Sequence, residues 1–427
     1  MNNLRVGALR HQKNGTTFRV FTEIDGFELW FESDDIELEP AVEALSTLWL
    51  IPSLLSKRTL EITQPVCSTW LENAYKVIDF LDLSWDTKPI EIIAEPVKKK
   101  ADRPTATALF FTCGVDSFYT LYQLIPTKKP DYLIHLETFD IPADEPVRSR
   151  TARARLEKVA STVGCRLITI RTNVKKHPTF TAHRFADTHA ALLAAAGHLL
   201  IPHIVSATIA PTWHKDHHMI YGSNWRLDHL WSSALLEIIH GENSAVRADR
   251  VKVIADIKLA QENLHVCIQT YNCSRCEKCV RTMLDLHQCG KLPHFKVFDQ
   301  SLPVWEAIDG LPQIERAGFW EPAYKNNTDP QVERSLKHLF RRTSLAATAI
   351  EDQLKQRRYV DEEFPKLQEG LKNALHHYSL LQEEHQRLAA DYAAIAGSLP
   401  IRNGLKLVRK VAKKLRATGA KKGARHD

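Results

Sequence analysis

Two groups of residues in this 427-residue chain have the types and spacing to do chemistry. The first is Cys267, Cys273, Cys276 and Cys279, four of the eight cysteines, separated by gaps of five, two and two residues. Four thiolates spaced in this way can reach one tetrahedral ion, the geometry of a closed structural zinc site. An iron–sulfur cluster takes the same ligands and is the competing reading. With every position filled by protein, zinc would staple the loop rather than catalyse. The second group is Thr112-Cys-Gly-Val-Asp-Ser117, which follows the apolar run Leu109 to Phe111 and precedes a segment that reads as a helix opening at Ser117. A turn between strand and helix aims backbone N–H groups and the positive end of the helix dipole at one point, a ready anion site. Ser117 adds a hydroxyl donor. If the turn requires φ > 0 at Cys113, the Cβ there costs on the order of 1 kcal/mol. No G-x-x-x-x-G-K-[ST] loop occurs in the chain, so a phosphoryl-transferring NTPase of that type has no support.

Thr112–Ser117 resembles the S-G-G-x-D-S loop of the PP-loop family, the N-type ATP pyrophosphatases. Thr112 stands for Ser and Cys113 for the first Gly. The loop and the four cysteines about 150 residues later occur in the order seen in the 7-cyano-7-deazaguanine synthases, which the chain resembles over roughly 106–290. The resemblance implies that ATP is held by Thr112, Cys113, Gly114, Val115, Asp116 and Ser117. Asp116 would orient Mg²⁺ or the phosphates, and Ser117 would donate to the leaving group. It further implies a C–N ligase that adenylates a carboxylate or carbonyl oxygen of a small-molecule acceptor, releases pyrophosphate and admits ammonia or an amine. The implied cofactors are ATP, Mg²⁺ and Zn²⁺. Two alternatives stand beside it. One is a sulfur-transferring, tRNA-modifying PP-loop enzyme that uses Cys113. The other is a non-catalytic nucleotide-binding assembly protein.

The elements around these residues follow from hydrophobic period. From 106 the pattern alternates strand and helix, with strands expected at 107–111, 132–136, 166–171 and 203–207 and helices at 117–125, 147–163 and 182–198. This is an α/β pattern, a parallel sheet with helices on both faces, of PP-loop type by the resemblance. Ligands of such sheets sit beyond the carboxyl ends of the strands. By that rule Asp140, after the second strand, is a candidate for Mg²⁺ or ribose contact, or a turn residue. Ser206, Ser223 and Asp228 are candidates for substrate contact, with Asp228 alternatively capping an apolar helix over Leu230 to Ile239.

Residues 1–105 read as a separate α+β domain with a hairpin turning at Asp25-Gly26, and Pro96 to Pro104 as a linker. The PP-loop domain is expected over 106–325, and a helical, coiled-coil region over 330–400. In the latter, a four-and-three seam from Leu367 to Ile395 suits self-association or a partner helix. The tail 401–427 carries ten Lys/Arg against one Asp, +9 of the chain's net +6, so residues 1–400 sum to −3. An acidic body argues against extensive nucleic-acid contact. The basic amphipathic stretch Gly404 to Arg416 suits an anionic membrane surface, a partner, or a solvated tail. No apolar run reaches transmembrane length, and Met1 to Arg5 does not open a signal peptide. A reducing cytoplasm, with peripheral contact at the membrane through the tail, is the expected location.

Overall fold

The computed structural model describes residues 3–100, 104–137, 145–216, 221–267, 269, 271–314, 319–358, 364–397 and 409–414. The strands in chain order are β1 (Leu4–Val6), β2 (Arg10–Asn14), β3 (Thr17–Ile24), β4 (Phe27–Ser33), β5 (Leu60–Ile62), β6 (Val66–Cys67), β7 (Ile92–Ile93), β8 (Pro96–Val97), β9 (Thr107–Phe110), β10 (Tyr132–Leu136), β11 (Arg166–Thr172), β12 (Ser206–Ile209) and β13 (Glu237–His240). Eight of them form one sheet in the order β13-β12-β9-β10-β11-β4-β3-β2. From β11 through β13 every pairing is parallel; β4 joins β11 antiparallel, Phe31 opposite Thr172. The β3–β4 hairpin turns at Asp25 (φ 50°) and Gly26 (φ 76°), as expected of a two-residue turn with φ > 0 at both positions.

All four residues of β9 are buried, because helices cover both faces of the parallel strands. Ala108 and Phe110 join a core that includes α1 (Val42–Ser56), α2 (Ser68–Trp85) and the alanine-rich α5 (Phe185–His198). Leu109 and Phe111 join a second core with Phe118 and Leu121 of α3 (Val115–Lys128), Leu156 and Val159 of α4 (Pro146–Val163), Val251 of α6 (Arg247–Ala255) and Leu284 of α7 (Glu277–Gln288). The chain is therefore mixed α/β with a largely parallel central sheet.

Met1–Thr343 forms one compact unit and Ser344–Asp427 a second. The boundary expected at 105 falls inside the first unit, since β2, β3 and β4 extend the sheet built from 106 onward. The expected linker is partly structured: Pro96–Val97 pairs with β6, and Lys99 binds Glu43, a buried carboxylate, at 2.8 Å. The boundary expected at 330 also falls inside this unit. There α8 (Pro330–Arg358) begins, and its Val332, Leu336 and Leu339 are buried in the second core.

The helix expected over Leu230 to Ile239 does not form. A 3-10 turn (Asp228–Trp231) leads instead into β13. Ser233 Oγ accepts from the amides of Leu235 and Leu236, and Ser232 Oγ from that of Ile238, capturing N–H groups that a helix would have used.

In the second unit, α9 (Phe364–Gly397) runs unbroken, with Tyr378, Leu381 and Leu388 of the expected seam at 61%, 62% and 54% exposure. Of the tail, 409–414 are helical; the rest lies outside the described residues. Among the described residues no helix is long and apolar enough to cross a membrane.

Candidate functional site

The loop 112–117 leaves the carboxyl end of β9, where Phe111 N–H still bonds Ile134 O (2.8 Å) across to β10. Cys113 then takes φ 60°, the left-handed conformation that favours glycine, and its side chain is buried. That reversal lets Gly114 stand at the N-cap and start α3 at Val115, two residues before the expected Ser117. No side chain caps the helix, so its first-turn amides remain available as donors. Ser117 Oγ donates to Gly114 O (3.1 Å) and accepts from Thr112 N–H (3.4 Å), closing the loop on itself. Thr112 and Cys113 line a cleft of about 340 Å³, measured with the solvent at its mouth, together with His135, Arg155, Leu156 and His265. Burial holds the Cys113 thiol well above the ordinary range, against the opposing pull of Arg155.

Asp116 is paired, and its partner was not evident from sequence. Arg250 Nη1 lies 2.8 Å from Asp116 Oδ1, with the guanidinium 1% exposed and the carboxylate 26%. Arg250 also donates to the carbonyls of Pro211, Trp213 and Ala245. It is thus a buried cation fixed from several sides that holds one Asp116 oxygen. The one sequence signal for it is an arginine inside the apolar stripe of α6, beside Val251 and Ile254. Arg281 of α7 lies in the same region, its guanidinium 4.4 Å over the Phe319 ring.

Ser206 does not reach this edge. The strand expected at 203–207 is Ser206–Ile209, and Ser206 pairs with Thr107 at the amino end of the sheet, away from the loop. Ser223 and Asp228 are brought together: Ser223 Oγ donates to Asp228 Oδ2 at 2.7 Å, and Asn224 N–H and His240 Nδ1 complete the carboxylate's shell. Asp228 is fully buried, so these donors substitute for lost water. His240 ends β13 opposite Ile209, two strands from β9, which is about 10 Å across the sheet. Gly222 permits this arrangement: a Cβ there would lie 2.5 Å from Ala186 O and the Asp187 backbone. Asp140 lies outside the described residues.

The four cysteines converge as their spacing implies. Their sulfurs all lie within 4.8 Å of one another, with Cys267–Cys276 at 3.7 Å and Cys273–Cys279 at 4.0 Å. Zinc–sulfur bonds of about 2.3 Å in a tetrahedron place sulfurs about 3.8 Å apart, so the group could hold a metal such as zinc. Left-handed Asn272 and Ser274 (φ 37° and 59°) fold the knuckle. The amides of Gln269 and Cys276 donate to Cys267 and Cys273 sulfurs, the outer-shell support a thiolate site needs. Donation from Cys279 pushes the Cys276 thiol down to about 5. Directly before the knuckle, His265 N–H donates to Cys113 O at 2.8 Å. The cluster is therefore tied through one backbone bond to the left-handed residue of the loop.

Comparison of the chain with protein-family models, with curated proteins and with solved structures gives no match.

Proposed function

We propose that the protein is an ATP-dependent adenylating ligase of PP-loop type. It would activate a carboxylate or carbonyl oxygen with release of pyrophosphate and pass the acyl group to ammonia or an amine. The observation that carries the reading is the loop itself. An uncapped helix of fourteen residues opens at the carboxyl edge of a parallel strand, behind a left-handed turn, with Asp116 anchored by a buried arginine. Uncapped amides and the helix dipole suit a departing pyrophosphate, and no lysine in the loop competes for a terminal phosphoryl group.

Asp116 fits a Mg²⁺ that is carried mainly by phosphate oxygens. Arg250 engages one carboxylate oxygen and the side chain is 26% exposed, and Mg²⁺ commonly takes one or two carboxylates plus substrate phosphates. The ion would supply charge neutralisation between the phosphates. Ser117 would turn its hydroxyl from Gly114 O to a leaving-group oxygen. Zinc at the four cysteines would hold the knuckle and, through His265, the loop. Ser223 and Asp228, gathered with His240 at the end of β13 two strands from β9, would contact the acceptor.

The sulfur-transfer reading finds less support, because the thiol of Cys113 is buried and held protonated, whereas the thiolate is the reactive form. ATP–pyrophosphate exchange across a panel of carboxylic acids tests the proposal. Exchange dependent on one class of acid is expected. Sulfur incorporation into tRNA without exchange would favour the alternative.

A further inference from the structure

Two arginines around the loop make no hydrogen bond or ion pair among the described residues: Arg155, half-buried with its guanidinium against the Tyr271 ring, and Arg281, which is more deeply buried. Arg281 is 9% exposed, and its Nε is sealed from solvent without a partner. Its neighbours are committed elsewhere. Arg250 holds Asp116, Arg247 donates to Thr282 Oγ1 (2.8 Å) and lies 3.5 Å from Asp285, and Glu277 accepts from Trp320 Nε1 (3.0 Å). The Phe319 ring supports one face of the guanidinium at 4.4 Å. A guanidinium stays charged at neutral pH even when buried.

A buried cation whose N–H donors lack hydrogen-bond partners is costly even with carboxylates in the neighbourhood, and arginine does not relieve that cost by losing its proton. Face-on support from an aromatic ring leaves the N–H fork of a guanidinium for an anion, and that fork matches the oxygens of a phosphate. The Phe319 ring beneath Arg281 stacks on Trp213 at 4.5 Å, and the Trp213 carbonyl accepts from Arg250, the partner of Asp116, so Arg281 belongs to the shell around the opening of α3. Its carrier helix α7 is N-capped by Cys276, so the cysteine cluster fixes where it begins.

We propose that Arg281 is the anion-receiving arm of the loop site and binds a phosphate oxyanion, either of the nucleotide's α-phosphate or of free pyrophosphate. The proposal rests on the phosphate reading of residues 112–117 but not on the chemistry that follows binding. The test is calorimetric titration of the full-length protein with AMP and, separately, with inorganic pyrophosphate, for wild type, Arg281→Gln and Arg281→Lys. Thermal unfolding of each protein without ligand accompanies it.

Arg281→Gln should weaken one of the two ligands at least tenfold, with partial recovery in Arg281→Lys. Loss for AMP alone would identify the α-phosphate, and loss for pyrophosphate alone the leaving group. Without ligand, Arg281→Gln should unfold within about two degrees of wild type, because it breaks no hydrogen bond and no close ion pair. The proposal is overturned if wild type binds neither ligand, or if Arg281→Gln binds both as wild type does. It is equally overturned if the ligand-free variant unfolds several degrees lower, which would make the side chain structural. A protein that binds AMP or pyrophosphate through Arg281 yet never forms AMP from ATP would refute the adenylation reading and leave this one standing.

Discussion

Replacing Asp116 by Asn separates its pairing with Arg250 from the role we propose for it at the leaving group. The carboxylate neutralises Arg250, which is 1% exposed. Breaking a buried ion pair by removing one partner costs about 3–5 kcal/mol. Two features reduce that figure here: Asp116 is 26% exposed, and Asn retains an oxygen at the position that Arg250 Nη1 contacts. Arg250 also keeps its carbonyl partners, so a loss of about 1–2 kcal/mol is expected. With an unfolding entropy of about 2 cal/mol/K per residue, the unit Met1–Thr343 should melt about 1.5–3 °C lower. Such a change leaves the protein folded at 25 °C. Turnover should nevertheless fall 10²–10³-fold, about 3–4 kcal/mol, as when one oriented electrostatic contact to a leaving group is removed. The assay pairs initial rates of AMP formation, with an acid that supports exchange, with thermal unfolding of the same preparation. Wild-type turnover in Asp116→Asn would refute the role in catalysis. A fall of ten degrees or more in melting temperature would show that the carboxylate is mainly a structural counter-ion for Arg250.

Metal analysis should give close to one zinc per chain, and Cys276→Ser should lower the melting temperature, because binding energy at such a site is folding energy; no metal, or iron–sulfur absorption, would contradict this. Gly222→Ala should cost about 1–3 kcal/mol in a denaturant midpoint, since its Cβ would press on Ala186 O and the Asp187 backbone at 2.5 Å; an unchanged midpoint would mean that the segment relaxes freely. His177 and His198 are buried, and burial lowers the pKa of each below the ordinary 6.5. Between that lowered value and 6.5 the unfolded chain binds protons that the folded chain refuses, so stability is full above about pH 6.5 and is lost as pH falls below it. Urea midpoints at pH 7.5 and 5.0 check this, and a flat or rising midpoint on acidification would contradict it.

The parallel strands were legible because buried β-branched and aromatic runs alternate with helices long enough to cross over. β10 and α4 fall almost where their periods place them. The cysteine cluster was legible because a ligand set has a spacing that few other demands impose. Three things were not legible, each for a physical reason. Leu230 to Ile239 has enough apolar residues for a helix, but Ser232 and Ser233 take the amides and hand the stretch to the sheet. The hairpin of β3 and β4 was readable locally, but its docking beside β11 rests on pairs such as Phe31 with Thr172, about 140 residues apart, which no local period reveals. Arg250 and Arg281 carry charge into buried faces of helices, where the amphipathic pattern anticipates apolar side chains. The left-handed residue at 113 lay between: the loop's resemblance marked the position, and only the φ of 60° shows that a Cys occupies a glycine conformation there.

Whether the loop from Thr112 to Ser117 holds a departing pyrophosphate is decided by the products formed from ATP labelled separately in the α- and γ-phosphates, with Mg²⁺ and an acid that supports exchange. AMP and pyrophosphate in equal amounts, with both lost in Asp116→Asn, are the predicted result. ADP and orthophosphate, or AMP formation undiminished in Asp116→Asn, would contradict it.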